Sequence, residues 1–248
     1  MIQTTTQSAA IRLNDLDRRA PNPFIPVQPA PAKDGSGNRL AQRERRARIL
    51  AATRVLIARG GLETVTVREI ADLSGISIQT IYNLAGNRIR VVEMAINEHI
   101  SCAARPALSQ ADYPNLFFAL ADQMWINAMQ NPHYTRWASM ICGGAETTLN
   151  RRVYRHQGKM LTEMLHRHYG DRTRGTTADF ETLACHVTTL TGAIALDWAR
   201  GSIDSCEFRY RLATGYGFML QGLDTDAEIV KAKSWYNHLR VGKSRLAV

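Results

Sequence analysis

The stretch from Thr66 to Arg88, TVREIADLSGISIQTIYNLAGNR, constrains the fold more than any other part of the chain. Thr66 and Glu69 have the spacing of a capping box, in which two side chains satisfy the first backbone N–H groups of a helix. Gly75 follows an apolar stripe of helical spacing and suits the left-handed conformation that ends a helix. Ser77 can then cap a second helix. Two short helices joined by a turn that contains glycine predict a helix-turn-helix.

The remainder of the chain predicts helices, and no stretch has the alternation of a strand. A first helix is expected over 40–59, and Asn87 can cap a fourth that runs from Arg88 to about Ile100. Further helices are expected over 115–130, 134–141, 149–169, 178–200, 207–223 and 227–239. The predicted fold is therefore all-α, with a three-helix helix-turn-helix domain followed by a helical bundle.

Composition divides the chain into four expected parts: a tail (1–38), the helix-turn-helix domain (39–86), the helical effector-binding and dimerisation domain (87–225) and an extension (226–248). Five prolines between Pro21 and Pro31 exclude a helix and predict polyproline-like or disordered chain. This tail either reaches DNA outside the motif or is a solvated leader with little function.

Positive charge is concentrated in the same part of the chain as the motif. The net charge is +9, and the segment from Arg39 to Arg90 holds ten arginines against four acidic residues. This balance favours a polyanionic partner such as DNA, although a solvated basic face would give it as well. The four cysteines form no C-x-x-C pair, and no apolar run approaches twenty residues. A reducing cytoplasm without membrane insertion is therefore expected.

The motif and its flanks resemble the DNA-binding domain of the tetracycline-repressor (TetR) family of bacterial transcription regulators. The resemblance extends from Arg39 to about Ile100 and rests on these residues: Ile49, Leu50, Ala52, Leu56, Gly61, Val67, Ile70, Ala71, Gly75, Ile76, Ser77, Thr80, Ile81, Tyr82, Asn87 and Arg88. One departure is Ala85, where the family usually has Phe to pack the third helix against the fourth. We expect neighbouring Leu84 to fill that space.

Candidate DNA-binding residues follow from how helices contact a duplex. The second helix of the motif can lie in the major groove, where a Gln79 amide would pair in bidentate fashion with adenine and Ile78 would touch a thymine methyl. Helix N-termini bind phosphates, which suggests roles for Thr66 and Arg88. The resemblance adds Thr80, Tyr82 and Asn83 as DNA contacts, although Tyr82 could equally be structural. The complete predicted set is Arg43, Arg46, Thr66, Ser77, Ile78, Gln79, Thr80, Tyr82, Asn83 and Arg88.

The middle helices carry apolar and thioether side chains that suit a small-molecule pocket. The candidates are Phe117, Met124, Trp125, Met129, Trp137, Met140, Met160 and Met164. Such a stripe is also what an ordinary core looks like, and the resemblance to regulators that bind an effector is what favours a pocket. The nearby histidines and arginines, among them His156, Arg136, Arg152 and Arg155, suggest an acidic ligand unless they lie on the surface.

One recognition helix reads too few bases to specify a genomic site, so a two-fold dimer on a palindromic operator is expected. The predicted interface is the last helix pair, with Thr191, Ala195, Trp198, Leu212, Tyr216 and Met219. Family members resembling this chain associate through a four-helix bundle formed there. The alternative is that these residues are internal core.

The sequence leaves three functions to compare. The first is a homodimeric transcription regulator, most simply a repressor that a small molecule releases from its operator. The second is an architectural DNA-binding protein with no effector. The third, a helical-bundle enzyme, has little support, because His166-x-His168 and Cys185-His186 point to different sides of a helix and no nucleophile–base motif occurs. No cofactor and no metal are predicted, and the sequence does not distinguish repression from activation.

Overall fold

The computed structural model describes residues 36–104, 116–144, 147–169 and 180–220, and the regular elements within these ranges are nine α-helices. The helices are α1 (Ser36–Gly60), α2 (Val67–Ser74), α3 (Ile78–Ala85), α4 (Arg88–Ala104), α5 (Leu116–Gln130), α6 (Pro132–Cys142), α7 (Thr147–Tyr169), α8 (Phe180–Ala199) and α9 (Ser205–Leu220). The all-α fold class is confirmed. The proline-rich tail and the helix predicted over 227–239 lie outside the described residues.

The local signals at the helix-turn-helix act as the sequence predicts. Glu69 N donates to Thr66 Oγ1 over 3.1 Å and Thr66 N donates to Glu69 Oε2 over 3.2 Å, which completes the capping box of α2. Gly75 ends α2 with φ of 64°, in the left-handed region. Ser77 caps α3, and the Asn87 side chain accepts from Arg90 N over 3.0 Å at the start of α4. These caps fix where each short helix begins and ends.

Two hydrophobic clusters form the core of the described chain. The first joins α1–α4 and also includes Tyr134, Ala138 and Ile141 of α6 with Leu149 and Val153 of α7. The second is built mainly by α5, α7, α8 and α9. Because α4 and α6 pack against α1, and α7 packs against α4, the expected boundary at 86/87 does not coincide with a break in the core.

Ala85 and Leu84 in α3 both pack against the first cluster. Ala85 is buried in the first cluster, and Leu84 packs partly against the same cluster. The leucine therefore supplies apolar contact beside the smaller residue, as the sequence suggested.

Polar side chains connect the helices of the second cluster. Arg209 on α9 forms a bidentate pair with the buried Asp122 on α5, with Nε–Oδ1 2.8 Å and Nη2–Oδ2 3.1 Å. Arg136 on α6 lies over the Trp198 ring and donates to the Trp198 carbonyl over 2.7 Å. Such fixed bidentate and stacked geometry is characteristic of arginine at packed helix contacts.

Candidate nucleic-acid interface and ligand cavity

Helix α3 has one buried side and one exposed side. Ile81 and Ala85 face the core, with exposures of 0% and 4%. On the other side, Ile78 is 45% exposed and Tyr82 is 49% exposed, which is high for side chains of this size in a well-packed domain. Ser77, Gln79 and Asn83 are exposed beside them, and Thr80 is half-buried. The predicted base-reading residues therefore share one accessible face.

The polar groups on this face form weak local hydrogen bonds. Gln79 Nε2 donates to Asn83 Oδ1 over 3.2 Å, one turn along α3. Ser77 Oγ and Thr80 Oγ1 lie 2.8 Å apart. Because these bonds are exposed, replacing them by bonds to DNA costs little free energy. The Gln79 amide can therefore exchange its bond to Asn83 for a bond to a base edge.

Exposed arginines lie on α1 next to the helix-turn-helix. Arg43 and Arg46 are exposed, and neither forms an ion pair with any described residue, so both can neutralise phosphates. Thr66 is exposed at the start of α2. Arg48 has a different role, because its guanidinium donates to the Ser74 carbonyl and holds α1 against the turn.

Arg88 does not lie where the sequence prediction placed it. Its guanidinium Nη2 donates to the Leu62 carbonyl over 2.6 Å, and its Nε is buried. The side chain is therefore turned toward the α1–α2 connection rather than toward a phosphate. The physical reason is that the Leu62 carbonyl lies in a loop within reach of the guanidinium, and a charged donor satisfies such an acceptor strongly. The predicted phosphate contact by this side chain is corrected accordingly.

A cavity lies among α4, α5, α6, α7, α8 and α9. It consists of two adjoining spaces of about 80 Å³ and about 30 Å³ that share Ile100, Met124, Gln157 and Thr191. We refer to both together as the helical cavity. Its described walls are mostly apolar, and they contain no Asp, Glu, Lys or Arg. The polar groups that reach it are amide, hydroxyl, thiol and imidazole side chains: His99, Asn127, Tyr134, Thr135, Ser139, Cys142, Tyr154, Gln157, Thr188, Thr191 and Tyr216.

Only two of the eight predicted pocket residues, Met124 and Met160, line this cavity. Phe117 and Met164 are buried core residues, and Trp125 donates its indole N–H to the Ser205 carbonyl over 3.1 Å. Met129 packs against the second cluster. The prediction was wrong for these residues because side-chain bulk does not reveal which side of a helix faces a void.

Trp137 and Met140 line a different, shallower cleft beside the α1–α2 connection. A Cβ at Gly61, where φ is 71°, would lie 2.5 Å from the Trp137 ring, so the indole packs directly on the glycine backbone. Trp137 therefore ties α6 to the loop that precedes the helix-turn-helix. It is not part of the helical cavity.

The expected cationic ligand partners also lie elsewhere. Arg136 is held against Trp198. Arg152, Arg155 and His156 line a wide cleft of about 670 Å³ together with Arg46 and Arg90, on the other side of the α4–α7 contact. These groups therefore do not line the helical cavity.

Burial keeps the titratable groups of the helical cavity uncharged. It lowers the pKa of His99 to about 4, with the positive Arg54 as a smaller cause, so the imidazole is neutral at physiological pH. His99 Nε2 lies 2.7 Å from Asn127 Nδ2, which places the two side chains in one hydrogen-bonded pair. Burial also raises the pKa of the Cys142 thiol to about 12 and raises the pKa of Tyr134. None of these groups provides a charge for a ligand.

The predicted dimer residues are mostly inside the chain. Thr191, Trp198, Leu212 and Tyr216 are buried, and the Thr191 hydroxyl lies 2.5 Å from the Tyr216 hydroxyl. Ala195 lines the helical cavity, and Met219 packs partly against the second cluster. Bulky residues of the last helix pair serve the internal core, so the four buried side chains are not available to a partner subunit.

We call that face the α8–α9 outer face. It is defined by residues at spacings of three or four along each helix: Thr182, His186, Thr189 and Ala193 on α8, and Thr214 and Phe218 on α9. Small side chains cover most of it, and Phe218 is 67% exposed. Arg211 and Asp197 form a 3.5 Å ion pair between the two helices. In the sequence, this face is recognisable by small and polar residues at spacings of three or four, and not by its number of aromatic residues.

Neither a metal cluster nor a membrane-spanning helix occurs within the described ranges. No three His, Cys, Asp or Glu side chains there are grouped so as to hold a metal ion. No described helix is both long enough and apolar enough to cross a bilayer.

An exposed α3 on a capped helix-turn-helix, with basic side chains beside it, has the layout by which helix-turn-helix proteins bind DNA. Residues 49–88 match the family model described as bacterial regulatory proteins, tetR family. The match covers the helix-turn-helix segment on which the resemblance was based. The family is one of transcriptional regulators rather than enzymes.

Known proteins similar to this chain fall into two groups. The chain is 36% identical over 61 residues to the HTH-type transcriptional repressor KstR of Mycobacterium tuberculosis, which is 25% of this chain and 28% of that protein. The chain thus spans little more than a quarter of that relative.

Two solved structures share the fold over most of the chain. FadR of Thermus thermophilus, a TetR-family repressor in complex with lauroyl-CoA, aligns with a TM-score of 0.56 and 17% identity over 73% of this chain and 95% of its own. RolR in complex with resorcinol aligns with a TM-score of 0.55 and 17% identity over 78% of this chain and 95% of its own. At these identities the likeness establishes the fold.

Proposed function

We propose that the protein is a sequence-specific transcription regulator, a homodimeric repressor that a small-molecule effector releases from a palindromic operator. The observation that carries the proposal is the accessible face of α3, where Gln79, Tyr82 and Asn83 stand exposed on a helix anchored by Ile81. A helix of this size fits the major groove, where every base pair presents a distinct pattern of donors and acceptors. The relation to KstR, a repressor, favours repression over activation.

An architectural DNA-binding protein is the second candidate. The exposed arginines Arg43 and Arg46 would serve such a protein equally well, because phosphate contacts carry no sequence information. What favours a specific reader is that the exposed side chains of α3 include an amide, a phenol and an apolar group, which match base edges and thymine methyls.

A dimer is proposed because one α3 contacts only a few base pairs. The α8–α9 outer face supports it, since its small side chains permit close helix approach and Phe218 would lose its exposed apolar surface. Two such faces related by a two-fold axis would pair α8 and α9 with their copies in a four-helix bundle.

Effector release is proposed to act through α4. Ile96, His99 and Ile100 on this helix line the helical cavity, while Arg88 at its first turn holds the Leu62 carbonyl. Eleven residues of helix separate Arg88 from His99, about 16 Å at 1.5 Å per residue. A ligand that displaces α4 would therefore shift the helix-turn-helix and change the separation of the two reading heads. FadR and RolR, which bind lauroyl-CoA and resorcinol, support the presence of an effector.

The decisive experiment is selection of bound sequences from random DNA by the purified full chain at physiological salt. A recovered palindrome whose half-sites are spaced by about one helical turn or more supports the dimeric reader. Uniform recovery of all sequences contradicts it and leaves the architectural protein. Gln79→Ala serves as the matched variant, because it should relax the recovered motif without abolishing retention.

A further inference from the structure

The walls of the helical cavity limit the chemistry of what can bind there. Among the described residues that line it, none carries a formal charge, and its histidine is neutral because of burial. A carboxylate or ammonium placed there would lose its hydration without gaining a counter-ion, which disfavours charged ligands strongly. Arg54, whose charge acts on His99, does not supply one, since Arg54 Nη1 is bonded to Glu98 Oε2 over 2.5 Å.

The same cavity contains an unused hydrogen-bonding group. Thr135 Oγ1 on α6 is buried and has no hydrogen-bond partner, although the residue lines the cavity. A buried hydroxyl without a partner is unfavourable, and a ligand group that pairs with it recovers the lost free energy. Ser139 lies one turn further along α6, and the Asn127–His99 pair faces the same space from α5 and α4. These neutral donors and acceptors suit a hydroxyl or carbonyl group.

The volume of the helical cavity limits the size of a ligand. Spaces of about 80 Å³ and about 30 Å³ hold a single ring and a short substituent unless the helices separate. Aromatic and thioether walls, provided by Phe208, Tyr134 and Met124, favour a flat ring over an extended chain.

We propose, on the basis of the proposed effector-regulated function, that the helical cavity binds a compact uncharged ring carrying a hydroxyl or carbonyl group, which hydrogen-bonds to Thr135. The ligand's ring lies against the apolar walls, and its polar group replaces the missing partner of the Thr135 hydroxyl. Carboxylates and amines are excluded as occupants of this site, in contrast to the acidic ligand that the sequence suggested.

The test is calorimetric titration of the purified full chain at pH 7 with three probes of one size: benzyl alcohol, benzoate and benzylammonium. Benzyl alcohol is expected to bind saturably, and both charged probes at least tenfold more weakly. Thr135→Val keeps the shape of the side chain and should weaken benzyl alcohol roughly tenfold, about the value of one hydrogen bond. Thr148→Val, at an exposed position of α7, is the matched control and should change nothing.

Three results would overturn the proposal: benzoate or benzylammonium binding as tightly as benzyl alcohol, no saturable binding of benzyl alcohol, or equal affinity in Thr135→Val and wild type. Ala195→Leu fills the cavity and should abolish binding while the chain still unfolds cooperatively. The proposed function fails separately. If benzyl alcohol binds as expected but never changes the affinity for a selected operator, the ligand class stands and effector control does not.

Discussion

At the scale of single residues, the helix-turn-helix depends on one backbone conformation. Gly75 has φ of 64°, and a Cβ built on it would lie 2.8 Å from Arg48 Nη2. Arg48 in turn donates to the neighbouring Ser74 carbonyl, so the glycine and the arginine together fix the turn between α2 and α3. A side chain at this position meets both backbone strain and a tight contact.

Gly75→Ala is therefore expected to lower the free energy of unfolding by about 1–2 kcal/mol. Gly158→Ala is the matched control, because this glycine lies inside α7 and a Cβ added to it would have no neighbouring atom within 4 Å. It should raise stability by up to about 1 kcal/mol, since alanine favours a helix. Chemical denaturation of both variants measures the difference, and equal effects of the two substitutions would contradict the role of the turn.

His99 gives a pH dependence with a defined direction. The pKa is lowered in the folded chain to about 4 from an ordinary value of 6.5, so the unfolded chain binds a proton at higher pH than the folded chain. Stability contributed by the neutral imidazole is present above pH 6.5 and is lost as the pH falls toward 4, by up to about 3 kcal/mol.

Denaturation curves of wild type and His99→Gln between pH 7.5 and 4.5 measure this effect. The variant is expected to lose less stability on acidification than the wild type. His133→Gln, at an exposed position on α6, should follow the wild-type curve. Parallel curves for wild type and His99→Gln would show that burial does not govern this histidine.

At the scale of elements, the two proposed kinds of DNA contact lie on different helices. Its exposed face carries base-reading candidates, whereas the exposed arginines Arg43 and Arg46 lie on α1. The core cluster and the Arg48–Ser74 contact hold the two helices together. Because these contacts do not involve the exposed DNA-facing side chains, a substitution on one exposed face leaves the position of the other face unchanged.

Gln79→Ala is expected to relax sequence preference at one base pair, at a cost of about 1–3 kcal/mol on the preferred site. Arg43→Ala should instead weaken binding to all sequences alike and reduce the slope of log affinity against log salt by about one. Binding titrations on the selected site and on scrambled DNA at several salt concentrations distinguish the two. A sequence-independent effect of Gln79→Ala would remove it from the base-reading set.

Helix α4 is the element that belongs to both halves of the described structure. Its first turn carries Arg88, turned inward to Leu62, and its later turns line the helical cavity. Glu93 between them is buried and bonded to Arg90 and, over 3.4 Å, to Arg152 on α7. These contacts give α4 a defined position, and the proposed effector would act by displacing the helix from it.

At the scale of the whole molecule, the α8–α9 outer face is proposed to make the dimer. Phe218→Glu places a charge on that face and is expected to convert the protein to a monomer, with affinity for a palindromic site lowered at least tenfold. Thr148→Glu introduces the same charge at an exposed position of α7 and should leave the mass unchanged. Sedimentation measures the mass of both variants. A Phe218→Glu variant that remains a dimer would contradict the assignment of the interface to this face.

The sequence by itself determined the all-α class and the details of the helix-turn-helix. Capping boxes, helix-ending glycines and apolar periodicity act within a few residues, so Thr66, Gly75, Ser77 and Asn87 could be interpreted without the rest of the chain. The exposed side of α3 followed from the same periodicity.

Only the tertiary structure decided which side chains meet across helices. Arg88 turned to Leu62, Trp137 packed on Gly61, and the residues of the cavity and of the outer face differed from those expected. Trp198 and Tyr216 became core because α8 and α9 pack against α5 and α7 on the side where these residues lie. The physical reason is that periodicity identifies an apolar side of a helix, whereas whether that side meets a core, a void or a second molecule depends on how all the helices pack.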